Sequence, residues 1–283
     1  MNPLEPRFWG NMAAICLDLH QTGFSVIKGY DSNVDIPLAS SLMDDWWQWF
    51  VAGGDDRYLF DPETQAGWFP VEKSEKAKGR TEVDLKEYYH YFPHAGAPPH
   101  LEEKTRKHFD QMLRFSNELL GWLGSFVSAN VDDDVPDLVE LSEGSPYNLL
   151  RVLYYPPIPS GVEDLDRLPI TRAAEHTDIN MLTFITAPTT KGLQVFSEEH
   201  GWMDVPVDED HIIVNVGDAL DLATRGFLKS ARHRVVIPDG DERFKSRVSM
   251  PFFLHARPDA ILSGEITAQE HLRKRLRELG VAS

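Results

Sequence analysis

Two patterns of apolar spacing divide the chain. Up to about residue 147, apolar positions recur mainly at three- and four-residue steps, the spacing that keeps one face of an α-helix buried. Beyond Asn148 they come in short runs rich in Val, Ile, Leu, Phe and Thr, cut by Gly, Pro and Asp. The first part predicts a helix over Asn11–His20, a short strand over Thr22–Lys28, a helix over Pro37–Val51 and a longer helix over Leu101–Val127. Residues 60–99 hold no sustained period and read as a long irregular loop, a kind that commonly carries function. The second part predicts strands at Leu149–Tyr155, Met181–Thr186, Leu193–Phe196, Trp202–Val205, His211–Val216, Ala231–Ile237 and Arg247–Leu254. Thr267-Ala-Gln-Glu270 is a capping box opening a last helix through Leu272, Leu276 and Leu279, with Gly280 at its stop. Short strands at this spacing imply a β-sandwich or barrel. The fold class expected is mixed α/β with a mainly β core. A single domain over 1–283 would comprise a helical region at 1–147, a barrel core at 148–258 and a C-terminal helix at 259–283.

Composition narrows the partners. With 283 residues, 42% hydrophobic and 26% charged, the chain can bury a sizeable core. A formal net charge of −17 argues against nucleic acid, which needs a basic surface, and against anionic membranes. Cys16 is the lone cysteine, so no internal disulfide and no thiolate metal cluster can form. The first residues lack the basic start and apolar core of a signal peptide, and no apolar run is long enough to span a bilayer. A cytoplasmic, soluble protein is expected. Trp46, Trp47, Trp49 and Phe50 cannot all face inward on one helix, which leaves one Trp for a subunit or lid contact. Monomer and homodimer both stay open.

Chemistry concentrates in His176-Thr-Asp178, His233 and Arg247-Val-Ser249. Two residues apart on extended backbone, His176 and Asp178 project to one face, and a second strand can bring His233 alongside. Two imidazoles and one carboxylate are the facial ligand set of non-haem Fe(II) oxygenases, which leaves one side of the metal open. His-x-Asp by itself also occurs in zinc hydrolases and cupin-like binding proteins. Its order with a downstream Arg-x-Ser adds the second element: a guanidinium forks onto a carboxylate while a hydroxyl donates a further hydrogen bond. Glu175 should point to the opposite face, and Arg232 and Arg234 should keep His233 hard to protonate. Tyr88, Tyr91, Phe184, Phe252 and His255, together with His90, are candidates for the wall of a substrate pocket, or for core packing. Asn215, Gly217 and Asp218 read as turn chemistry before a strand.

From Asn148 onward the chain resembles the isopenicillin N synthase-like 2-oxoglutarate/Fe(II)-dependent dioxygenases. The resemblance rests on Leu150-Arg-Val-Leu-Tyr-Tyr-Pro-Pro157, His176-Thr-Asp178 with Leu182-Thr-Phe184, Gly192-Leu-Gln-Val195, Val214-Asn-Val-Gly-Asp218, Lys229-Ser-Ala-Arg-His-Arg-Val-Val236 and Arg247-Val-Ser-Met-Pro-Phe-Phe253, in family order. It implies a double-stranded β-helix, or jelly roll, with helices packed around it. It also implies that His176, Asp178 and His233 hold Fe(II), and that Arg247 and Ser249 hold the distal carboxylate of 2-oxoglutarate with help from Tyr155. The activity implied is hydroxylation or desaturation of a small organic molecule, consuming O2 and releasing succinate and CO2, with ascorbate as a candidate reductant. The chain departs from the family at Leu153, where Asn is frequent, and at Ile158, where Cys is usual. Two alternatives stay open: an Fe(II) oxidase of the same fold that uses no 2-oxoglutarate, and a non-catalytic metal-binding or sensing protein.

Overall fold

The computed structural model describes residues 4–71, 86–131, 135–157, 171–186, 190–206, 208–238 and 240–278. Two antiparallel sheets form its centre. Numbered along the chain, the larger sheet runs in the order β1 (Phe24–Lys28), β9 (His211–Val216), β6 (Leu182–Thr186), β12 (Pro251–Leu254), β4 (Leu149–Tyr155), β3 (Glu87–Tyr91) and β2 (Gly67–Phe69). β11 (Arg247–Ser249) lies ahead of β12 along the same edge of β4. The smaller sheet runs β5 (Thr171–His176), β10 (His233–Val236), β7 (Leu193–Ser197) and β8 (Gly201–Asp204). Phe24, Val26 and Ile213 from the first sheet pack against Leu193, Val195 and Val235 from the second, so the sheets stand face to face as a double-stranded β-helix.

Strand alternation sorts the larger sheet into two chemistries. Because successive side chains point to opposite faces, the register that pairs Thr183 with Asn215 and Phe253 sets these three on the inner face. The neighbouring register pairs Phe184 with Val214 and Phe252, which lie on the outer face. There α3 (Pro99–Asn130) covers them, with Phe109 edge-on to Phe252 at 5.1 Å and Phe115 edge-on to Phe184 at 5.7 Å. α3 reaches 32 residues because its apolar stripe, from Leu101 to Val127, never leaves the core. Pro99 starts it at a position where no N–H is needed.

α1 (Met12–Thr22) and α2 (Ile36–Val51) form where their spacing predicts. The Asp35 side chain caps α2 by accepting from the Leu38 amide. Trp46, Trp49 and Phe50 are buried, whereas Trp47 is exposed and donates its indole N–H to Ser246 Oγ at 2.9 Å. That contact ties α2 to the residue just before Arg247. The expected last helix is α6 (Ala268–Glu278), opened by Glu270 accepting from the Thr267 amide. Leu279 and Gly280, and likewise Ile158, lie outside the described residues.

The irregular reading of 60–99 is corrected: β2 and β3 lie within it and extend the larger sheet. The first part of the chain is therefore not simply helical, since β1, β2 and β3 all join that sheet. Glu87-Tyr-Tyr-His-Tyr91 hides its period because both faces of β3 carry aromatic rings. Tyr89 and Tyr91 meet the helices, while Tyr88 and His90 face inward.

Candidate active site

β5 and β10 place His176 directly opposite His233, with ring centroids 4.3 Å apart. Asp178, just past the end of β5, turns its Oδ1 toward both rings, 3.8 Å from each Nε2. The three side chains offer ligand atoms that all lie within 4.8 Å of one another. In each imidazole the other nitrogen is fixed by the chain itself. His176 Nδ1 donates to the Ala174 carbonyl at 2.7 Å, and His233 Nδ1 donates to the Ala231 carbonyl at 3.0 Å. A carbonyl can only accept, so the protons sit on Nδ1 and both Nε2 lone pairs face the space beside Asp178.

The carboxylate is equally constrained. Asp178 Oδ2 accepts from Thr183 Oγ1 at 2.6 Å and from Asn215 Nδ2 at 2.9 Å. Burial alone would raise the Asp178 pKa. His233, His176 and these two hydrogen bonds outweigh it and hold the carboxyl below its usual range, so it is ionised. His176 keeps 42% of its side chain exposed at the mouth of the site. Desolvation of its ring, with repulsion from His233, pushes its pKa down, so it too is ready to ligate as a neutral base. Two imidazole nitrogens and one anionic oxygen on one side of a small space fit a divalent iron, with the remaining positions open.

Asn215 corrects the reading of Asn215, Gly217 and Asp218 as turn chemistry before a strand. It lies within β9, and the element after Gly217 is a short helix, α5 (Asp218–Ala223). A buried Asn inside the apolar run Ile212-Ile-Val-Asn-Val216 was the signal, because such a group must find a partner. Gly217 leaves room for the segment that carries Asp178: a Cβ there would stand 2.1 Å from the Asn180 carbonyl oxygen. Thr183 was hidden in an ordinary strand sequence. Glu175 points away from the site, as expected, and pairs with Arg232. Arg232 and Arg234 stack on Phe196 and Trp202 on that same outer side.

Arg247 is buried opposite Tyr155, and Ser249 is buried opposite Leu153. The Arg247 guanidinium lies over the Tyr155 ring, its Cζ 5.4 Å from the ring centroid. Burial lowers its pKa, and no carboxylate among the described residues counters that push. An Arg, a Ser and a Tyr thus share the inner face, a donor set that could hold a carboxylate.

The six candidates for a pocket wall divide between the two faces. Tyr91, Phe184 and Phe252 do not line the site. They lie on the outer face among the core residues that α3 covers, and the Tyr91 hydroxyl donates to Glu102 of α3 at 3.1 Å. Tyr88 lies on the inner face, where it stacks on Phe69 and meets Arg151, whose Cζ is 4.9 Å from its ring centroid. Arg151 Nε donates to His90 Nε2 at 2.8 Å, which fixes the His90 proton on Nδ1, donating to the Gln65 carbonyl at 2.8 Å. Phe253 flanks Arg151 at 5.5 Å. His255 lies two residues past Phe253 and is pushed down to about 4 by burial, with Asp178 and Arg151 among the charges that act on it. Arg151 and Phe253 thus join Tyr88, His90 and His255, where strand phase could have assigned them.

Comparison with known proteins agrees with this geometry. Residues 146–256 match the model of the 2OG-Fe(II) oxygenase superfamily. A crystal structure of a Shewanella oneidensis protein assigned as an oxygenase superposes with a TM-score of 0.85 at 33% identity, covering 98% of this chain and 99% of that one. A full-length Neurospora crassa protein, solved in complex with alpha-KG, superposes with a TM-score of 0.77 and covers 97% of this chain and 96% of that one; at 19% identity it shares the fold. The gibberellin 2-beta-dioxygenase of Phaseolus coccineus is 35% identical over 123 residues, 41% of this chain and 35% of its own length. No helix among the described residues is long and apolar enough to cross a membrane. With a full-length relative at this identity and the family's ligand set gathered in one barrel, the chain belongs to the 2OG-Fe(II) oxygenase superfamily.

Proposed function

We propose that this protein is an Fe(II)- and 2-oxoglutarate-dependent dioxygenase that hydroxylates or desaturates a small organic molecule, releasing succinate and CO2. The observation that carries the reading is the convergence, on one barrel interior, of a neutral His–His–carboxylate set and a carboxylate seat. His176, Asp178 and His233 would hold the iron; Arg247 and Ser249 would hold the distal carboxylate of the keto acid, with Tyr155 beside them. Bound Fe(II) would supply the activation of O2 at the expense of 2-oxoglutarate.

The chain's own part is to position and to exclude. Thr183 and Asn215 hold one oxygen of Asp178 so that the other faces the metal space. The Ala174 and Ala231 carbonyls hold each imidazole in the tautomer that presents Nε2. Tyr88, His90, Arg151, Phe253 and His255 would form the wall against which the substrate rests, joining aromatic surface to polar groups that can fix its orientation. The acidic chain supports a small-molecule rather than a nucleic-acid partner, and its single thiol, buried at Cys16, supports a cytoplasmic location.

Anaerobic titration with Fe(II) and then 2-oxoglutarate tests the reading. A metal-to-ligand charge-transfer band should appear on adding the keto acid. An oxidase without the cosubstrate, or a protein that only binds metal, would bind Fe(II) and give no band. A substrate screen scored by succinate release then identifies the molecule that is oxidised.

A further inference from the structure

The keto-acid seat contains a second buried guanidinium that its motif does not include. Arg172, on β5, is 7% exposed and reaches across from the smaller sheet toward the ring of Tyr155, with Cζ 5.8 Å from the centroid. Arg247 approaches the same ring from the larger sheet at 5.4 Å. Nη2 of Arg172 donates to the Lys245 carbonyl at 3.0 Å, which anchors the guanidinium beside the segment that leads into β11. Its Nη1 is buried and has no hydrogen-bond partner among the described residues.

Two like charges buried around one phenol are unfavourable unless an anion joins them. Among the described residues, the charged and titratable groups acting on Arg172 are Arg247, which repels it, and Tyr155, with no carboxylate. On Arg247, besides that mutual repulsion, Tyr155 is the titratable group that acts among the described residues. Elsewhere the molecule does pair a buried guanidinium: Arg7 meets the buried Asp18 at 2.7 Å. The contrast marks the Arg172–Arg247 pair as a prepared anion site, with no neutralising carboxylate among the described residues.

We propose that Arg172 is a second binding residue for the distal carboxylate of the keto acid. Its free Nη1 donates to one carboxylate oxygen, while Arg247 and Ser249 hold the other. This rests on the cosubstrate reading above and adds to it a residue and a selectivity. A seat with two guanidiniums strongly favours a keto acid with a charged far end over one with an apolar tail, because an uncharged tail would leave both cations buried and unpaired.

The test is equilibrium binding of 2-oxoglutarate to the anaerobic Fe(II) protein, read by the charge-transfer band and independently by calorimetry. Arg172→Gln should weaken 2-oxoglutarate binding at least tenfold with Fe(II) affinity unchanged, and Arg172→Lys should weaken it less. Thermal melts separate binding from scaffolding. Without ligands, Arg172→Gln should melt no lower than the parent protein, since it removes an uncompensated buried charge, while the stabilisation conferred by 2-oxoglutarate should shrink. Equal 2-oxoglutarate affinity in the parent, Arg172→Gln and Arg172→Lys proteins overturns the proposal and leaves the cosubstrate reading standing. A lower melt for the unliganded Gln variant with unchanged affinity also overturns it, and makes Arg172 a structural brace. A parent protein that binds Fe(II) but not 2-oxoglutarate overturns both readings.

Discussion

Thr183 donates its hydroxyl to Asp178 Oδ2 at 2.6 Å, and this contact fixes which carboxylate oxygen faces the two histidines. Asn215 adds a second bond to the same oxygen, leaving Oδ1 to the metal side. Thr183→Val keeps the shape and removes the donor. It should reduce Fe(II) affinity about tenfold to a hundredfold, the usual effect of losing a group that orients a metal ligand. Competition with a chelator measures this; an unchanged affinity would show that Asn215 suffices.

Removal of the carboxylate itself should be more severe. Asp178→Ala leaves two neutral imidazoles and no anionic ligand, so it should bind Fe(II) poorly and lose turnover. Iron content after gel filtration, alongside succinate release, reports both. A fully active Asp178→Ala protein is incompatible with the metal assignment.

Arg247→Ala should raise the KM for 2-oxoglutarate by at least a hundredfold. Stripping one partner from a buried ion pair costs about 3 kcal/mol or more, and that loss falls on cosubstrate binding. Tyr155→Phe should cost much less, about 1 kcal/mol for one hydrogen bond. Initial rates across a 2-oxoglutarate series distinguish the two, and equal KM values in all three proteins would remove Arg247 from the seat.

Phe252 and Phe253 are adjacent in sequence and opposite in role. Phe252 is fully buried under α3, so Phe252→Ala should lower the unfolding free energy by about 3–5 kcal/mol. Phe253 is half-buried on the inner face near Arg151, so Phe253→Ala should cost less stability and raise the KM for the organic substrate more. Denaturant unfolding and substrate kinetics on both variants check the assignment of faces. The reverse pattern would mean that the sheet's register has been misread.

The β core was legible because most of its strands are short, apolar and bounded by Gly, Pro or Asp. Leu149–Tyr155 and His211–Val216 begin and end where their composition says they should. The candidate ligands His176 and Asp178 and the Arg247-x-Ser249 pair were legible because both are local spacings. What sequence could not resolve was phase. Phe184 and Phe252 look like pocket aromatics until Thr183, bonded to Asp178, assigns its own parity to the interior and theirs to the helices. Arg172 was invisible for another reason: it meets Tyr155 and Arg247 only where one sheet crosses over the other, and no local pattern encodes that approach.

Acid should loosen the fold through histidines buried in their neutral form. His108, fully buried in α3, and His255 are both pushed down to about 4 by burial, against about 6.5 when exposed. Above pH 6.5 the folded and unfolded chains are both neutral at these rings, and the full stability is present. As pH falls from 6.5 toward 4, the unfolded chain takes up protons that the folded chain refuses, so stability is lost across that window. For His108 the loss amounts to about 3 kcal/mol at most, at about 1.4 kcal/mol per pH unit. Urea unfolding in the presence of a chelator at pH 7.5, 6 and 5 should show the decline, and His108→Leu should make it shallower. A decline of equal steepness in the variant would assign the acid sensitivity to other groups.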